Sequence, residues 1–237
     1  MQNKRITICA CTSRAWMDKE KAAGIAAALK NEGYEVAMVP DLCRKAMEAS
    51  PELPEIAAGV ILACHPRAVH SLLEWAGQDA KQVEDIRSNS REEALARLGI
   101  SCSETRDAAE KERFRNEIAA FPAENGTDAW YPVLDKTKCI ECGKCHDFCL
   151  FGVYTVANKR VRVTQPQNCK NNCPACARMC PNRAIIFPKY EKSPINGGTA
   201  LEETFTPGEM DAMYRERLQQ RLQQRKAGIP LLKKEGE

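Results

Sequence analysis

CIECGKCHDFC at residues 139–149 and CKNNCPACARMCP at 169–181 hold eight of the chain's thirteen cysteines. The first run has the spacing Cys139-x2-Cys142-x2-Cys145-x3-Cys149, which sets three thiols on one tight loop and carries the fourth away by a helical step. The second, Cys169-x3-Cys173-x2-Cys176-x3-Cys180-Pro181, repeats the plan with one extra residue in its first gap. Three thiols on a tight loop can hold three irons of a cubane, so the pair of runs predicts two [4Fe–4S] clusters. In this motif the fourth cysteine of each run ligates the cluster of the other. The expected ligand sets are therefore Cys139, Cys142, Cys145 and Cys180 for one cluster, and Cys149, Cys169, Cys173 and Cys176 for the other.

Zinc sites also use Cys-x2-Cys pairs, but they close with four ligands and do not call for two consecutive four-cysteine runs. Disulfides fit less well, because the start, MQNKRITICAC, has no secretory apolar region and reduced thiols are the rule inside cells. Residues 132–190 resemble a bacterial-type ferredoxin with two [4Fe–4S] clusters. One departure is Leu150, where that family usually has proline after the fourth cysteine; the proline shapes a turn and is not a ligand.

At 237 residues the chain can build one or two domains with real cores. No apolar run approaches the ~18–20 residues needed to span a bilayer, so a soluble cytoplasmic protein is expected. The formal charge of +3 would suggest a nucleic-acid partner, but it counts every cysteine as a neutral thiol. Four thiolates around an oxidised cluster of charge +2 add about −2 per cluster, which brings the sum to about −1 and removes that argument.

Residues 1–100 read as an open α/β sheet of parallel strands. The expected strands are 6–11, 34–39, 59–63 and 82–87. Between them lie a helix from Asp18 to Asn31 that buries Ala22, Ile25, Ala26 and Leu29, a weakly helical stretch, and a helix carrying Val69, Leu72 and Leu73 inward. A last helix opens at Ser90, with Glu93 in capping-box spacing. In such a series ligands bind beyond the carboxyl ends of the strands. Cys9 and Cys11 fall at the end of the first strand, Cys43 past the second and Cys64 at the end of the third. Should the first strand lie between the other two, these four thiols gather on one edge as a third cluster site. A redox-active dithiol and inert packing are the other readings of the same four residues. His65 is expected to be no ligand, Arg67 to form a structural ion pair, and Cys102 to be a free thiol.

ICAC at 8–11, Cys43 after the second strand, and ACHPR at 63–67 make residues 4–100 similar to the N-terminal domain of the heterodisulfide reductase A subunit. In that family the region belongs to an electron-transfer flavoprotein and its cysteines are associated with iron–sulfur binding. No G-x-G-x-x-G fingerprint occurs here, so no FAD or NAD site is expected.

Residues 101–131 read as a helical spacer between domains, with Phe114, Ile118 and Phe121 as its apolar stripe. A hairpin is expected around Asn158-Lys159 and a strand at 184–187. The tail, 191–237, is expected to hold a helix over about 207–226. Thr206 and Pro207 open it, and Met210, Tyr214, Leu218 and Leu222 form a narrow stripe that could dock on a partner or on the protein's own surface. The fold class is thus α/β plus α+β: an open parallel-sheet domain, a helical spacer, a ferredoxin-like domain and a helical tail. The expected function is relay of single electrons at low potential, as a subunit or partner of a larger oxidoreductase. The expected partners are a flavoprotein or hydrogenase-like donor and a reductase acceptor, with no nucleic acid and no membrane span. Two alternatives remain, a thiol/disulfide-reducing subunit acting through the N-terminal cysteines and an adaptor braced by its clusters.

Overall fold

The computed structural model describes residues 5–14, 16–100, 108–121, 129–199 and Gln219. The chain divides into two units, Met1–Thr199 and Ala200–Glu237. The helix expected over 207–226 and Cys102 lie outside the described residues, Gln219 excepted, which is helical.

The first unit begins with β1 (Arg5–Cys9), α1 (Lys19–Asn31), β2 (Glu35–Val39), α2 (Leu42–Met47), α3 (Leu53–Ala58), β3 (Val60–Ala63), α4 (Pro66–Trp75), β4 (Gln82–Asp85) and α5 (Arg91–Arg97). The four strands form one parallel sheet in the order β2-β1-β3-β4. Both faces of this sheet are covered, as parallel strands require. One face packs with Leu42, Leu53, Ile56, Val69, Leu72 and Leu73 of α2, α3 and α4. The other packs with Ile25 and Leu29 of α1, Leu95 of α5, and Phe114 and Ile118 of α6 (Ala108–Ala120). Asp18 caps α1 through the N–H groups of Glu20 and Lys21, and Ser90 with Glu93 forms a complete capping box on α5.

Two local features depart from the sequence expectation. The first strand ends at Cys9, because Cys11 has a φ of 47° and turns the chain out of extended geometry. Helix α1 buries every residue from Ala22 to Leu29 rather than one stripe. The cause is α6, which lies on its outer side, where Arg115 and Lys111 both pair with Glu20. The helix expected as a spacer between domains is therefore a further layer on the N-terminal sheet. Its apolar stripe is narrow because a helix of small alanines offers it a shallow groove.

Residues 129–199 add β5 (Val133–Leu134), α7 (Lys144–Phe148), β6 (Tyr154–Ala157), β7 (Arg160–Val163), α8 (Ala175–Met179) and β8 (Ile185–Ile186). Strands β5 and β8 pair antiparallel, as do β6 and β7. Asn158 and Lys159, with φ of 51° and 61°, make the two-residue turn between β6 and β7. This half is welded to the sheet half: Tyr131, Val133 and Ile186 share a core with Leu72 and Leu73. Arg67 Nε donates to Asp135 at 2.6 Å and its Nη2 to the Arg183 carbonyl at 2.6 Å, while Trp75 Nε1 donates to the Val163 carbonyl at 2.9 Å. Arg67 is thus the ion-pairing residue that the sequence suggested. Among the described residues no helix is long and apolar enough to cross a membrane.

Candidate metal centre

The two cysteine runs fold as near repeats. In each, the residue before the second cysteine has a positive φ, 55° at Glu141 and 60° at Asn172. Each run then enters a five-residue helix that carries the third cysteine at its second position, Cys145 on α7 and Cys176 on α8, and ends at the fourth, Cys149 or Cys180. A chain reversal three residues later uses φ of 67° at Gly152 and 51° at Arg183. With a rise of ~1.5 Å per residue, the helix moves the fourth thiol well away from the loop that holds the first three.

That displacement separates the thiols into two groups. Cys139, Cys142, Cys145 and Cys180 line one cavity, together with Leu134, Val161 and Ile185. Cys149, Cys169, Cys173 and Cys176 line another, together with Pro132, Val153 and Tyr154. The fourth thiol of each run therefore lies with the first three of the other. A small core of Trp130, Leu134, Tyr154, Val161, Val163 and Phe187 backs both groups.

A third cavity lies at the carboxyl edge of the parallel sheet. Because β1 sits between β2 and β3, the ends of all three strands meet there, and Cys9, Cys11, Cys43 and Cys64 line one space. Cys43 is in the first turn of α2, whose cap Asp41 accepts from the Arg44 N–H at 3.1 Å. Cys64 follows β3 directly. His65 is not among the residues lining the cavity; it stands at the N-cap position of α4 with no side-chain bond to the helix, and contacts Asp85 at 3.0 Å.

Do the thiols fit iron–sulfur clusters? Among the described residues, no three Cys, His, Asp or Glu side chains converge closely enough to hold a single metal ion. Each group of four lines a cavity of its own, an arrangement that can offer a polynuclear cluster four thiolates around one space. Backbone N–H groups also aim at the sulfurs: Glu141 at Cys139, His146 at Cys145, Ala177 at Cys176, and Leu42 at Cys9, the last at 3.4 Å. The Ala184 N–H donates to Cys180 Sγ at 3.3 Å and the Tyr154 hydroxyl to Cys176 Sγ at 3.1 Å. Such donors favour a thiolate over a thiol, and the residues present fit the group.

Without metal, burial dominates. It pushes Cys9 and Cys176 up to about 11, Cys64, Cys145 and Cys169 up to about 12, and Cys11 and Cys43 well above the ordinary thiol range. These thiols are protonated at neutral pH, so loading a cluster must displace their protons. The N-terminal cavity carries further groups that the linear sequence did not single out, namely Trp16, Asp41, Arg87 and Lys189. Lys189 and Asp41 form an ion pair with exposures of 2% and 3%. No local signal marks them, because their importance comes from residues 148 positions apart meeting in space. Tyr154, by contrast, stands out only as an ordinary strand aromatic.

No family model matches the chain. It is 49% identical over 67 residues to an uncharacterized ferredoxin of Methanocaldococcus jannaschii, a match that covers 28% of this chain and 45% of the relative, so the chain spans about half the length of that protein. It is 37% identical over 58 residues to another uncharacterized ferredoxin of the same organism, covering 23% of this chain and 74% of the relative. With three quarters of that small protein matched, the chain belongs to the ferredoxin family.

Proposed function

We propose that this chain is an electron-transfer protein with three [4Fe–4S] clusters. The ligands would be Cys139, Cys142, Cys145 and Cys180 for the first, Cys149, Cys169, Cys173 and Cys176 for the second, and Cys9, Cys11, Cys43 and Cys64 for the third. The observation that carries this reading is the grouping of cysteines four to each of three separate cavities. A bound [4Fe–4S] cluster supplies one-electron transfer with little change in geometry. The protein's part is to hold the thiolates, exclude water and offer N–H and O–H donors to the sulfurs.

The surroundings support a relay in which the second cluster is the middle station. The Tyr131 hydroxyl donates to the Cys43 carbonyl at 2.6 Å, and the next residue, Pro132, lines the cavity of Cys149, Cys169, Cys173 and Cys176. Cys169 packs against the core that contains Cys9 and Cys43. At the other end Cys142 is exposed beside the surface residue Ile140, and apolar Phe148, Leu150 and Phe151, which line the second cavity, also stand at the surface. Exposed apolar groups beside a redox centre suit brief docking of a protein partner. A flavoprotein or hydrogenase-like donor and a reductase acceptor fit such a relay. So does the likeness of residues 4–100 to the heterodisulfide reductase A subunit, in a reducing compartment where these thiols stay available. In this reading residues 1–100 and 132–190 are the two working domains.

Thiol/disulfide chemistry at Cys9 and Cys11 meets an obstacle in the same cavity. A nucleophilic cysteine needs a lowered pKa, and burial drives both of these upward. The deciding experiment is an anaerobic iron and sulfide assay with EPR on the full-length protein and on Cys64→Ala. About twelve irons in the parent and about eight in the variant, four per cluster, are expected. About eight in both samples would refute the third cluster.

A further inference from the structure

We infer that the buried pair Lys189–Asp41 sets the reduction potential of the N-terminal centre, Lys189 raising it and Asp41 lowering it. The inference rests on the proposed cluster at Cys9, Cys11, Cys43 and Cys64. Lys189 follows β8 and so belongs to the half of the chain that contains the two cysteine runs, yet it lines the cavity of the N-terminal thiols. Its ammonium is bound by Asp41 and Ser13, and Ser13 Oγ also donates to Asp41 Oδ2 at 2.9 Å.

The segment around Lys189 is tied down over this cavity. Trp16 Nε1 donates to the Lys189 carbonyl at 3.1 Å. Arg87 stacks on the Trp16 ring at 5.1 Å and donates to the carbonyls of Pro188, Tyr190 and Glu191. The position of the ammonium is thus fixed by contacts from β1's exit loop, from the residues after β4, and from α2's cap.

Burying an ammonium and a carboxylate together is costly, and apolar residues of similar volume often do as well for stability. The charges themselves are what such a pair adds to a cavity. Both residues line the cavity that the four thiols share, and both are almost fully buried, so their field reaches the sulfurs through little water. The same field acts on an added electron. In the step concerned, a reduced iron–sulfur cluster of the same chain loses one electron and the N-terminal centre gains it, with no bond made or broken and no proton transferred. A nearby positive charge favours that gain and a nearby negative charge resists it, all the more because little water screens them.

The test is an anaerobic redox titration followed by EPR on the full-length, cluster-loaded protein and on Lys189→Met, Asp41→Asn and the double variant, each with its iron count. Asparagine keeps the capping capacity at α2, and the double variant leaves no unpaired charge. The midpoint of the N-terminal centre is expected to move negative in Lys189→Met, positive in Asp41→Asn, and back toward the parent in the double variant, with the other two clusters unmoved. Twelve irons in the parent with an N-terminal midpoint that stays put, or moves the same way in both single variants, would overturn the inference alone. Loss of the N-terminal cluster from every variant, the double included, would assign the pair a purely structural role and also overturn it. Eight irons in the parent would overturn the cluster reading first and this inference with it.

Discussion

At the scale of single residues, crossed ligation is the feature that mutagenesis can resolve most sharply. If Cys180 serves the site of Cys139, then Cys139→Ala/Cys180→Ala removes ligands from one cluster and Cys149→Ala/Cys180→Ala from two. Iron analysis is expected to find about eight irons per chain in the first double variant and about four in the second; about four in both would mean that each run keeps its own fourth cysteine. Asp85 gives a pH prediction outside the thiols. Burial works to raise its carboxyl, but hydrogen bonds from His65 and Ser88 bring it down to about 2, below the ordinary 3.8. A depressed folded-state pKa stabilises the fold above the unfolded value and ceases to do so as pH falls through the folded one. Asp85→Asn is therefore expected to cost on the order of 1–2 kcal/mol at pH 7, with the gap to the parent closing between about pH 4 and 2. Urea denaturation of both proteins across that range checks it. Much of this site was legible in the sequence, since cysteine spacing records ligand geometry. Lys189 was not, because a lysine beside a tyrosine and a proline reads as a surface residue until the fold buries it.

At the scale of elements, the boundaries that carry chemical marks were readable: Ser90 as a cap, and Asn158-Lys159 as a turn. That turn holds two residues with positive φ, a conformation disfavoured for lysine and free for glycine. The Asn-Gly pair suits such hairpins, so Lys159→Gly should stabilise the protein. The left-handed penalty of ~1–2 kcal/mol is relieved and offset in part by glycine's ~0.5–1 kcal/mol entropic cost. A net gain of about 0.5 kcal/mol in thermal or urea unfolding is expected from that difference; a loss would show that the Lys159 side chain contributes more than its backbone costs. What could not be read was the role of α6. Its stripe of Phe114, Ile118 and Phe121 told that it packs, but its partner, the outer side of α1, shows only as a run of alanines, and alanines are equally at home facing water.

At the scale of the whole molecule, the two halves share one core yet rely on different forces. The sheet half buries Ile6, Ile8, Ile25, Leu29, Ile61 and Leu62 and can stand on apolar packing. The segment 139–180 has short helices, many loops and exposed Ile140 and Leu150, so its fold is expected to depend on metal. Iron removal is expected to expose 139–180 to fast amide exchange while β1, β2 and β3 keep their protection, as read by hydrogen–deuterium exchange; slow exchange throughout 139–180 in the iron-free protein would count against it. The sequence by itself determined the parallel order of the N-terminal strands, the hairpin, and the grouping of thiols into candidate ligand sets. Each of these follows from local periodicity, turn chemistry or short spacing along the chain. Only the tertiary structure decided that β1 lies between β2 and β3, that Tyr131 joins the two halves at Cys43, and that Lys189 meets Asp41 beside the N-terminal thiols. Those contacts join residues far apart in the chain, and their free energy comes from burial and charge pairing, which exist only once both halves have packed.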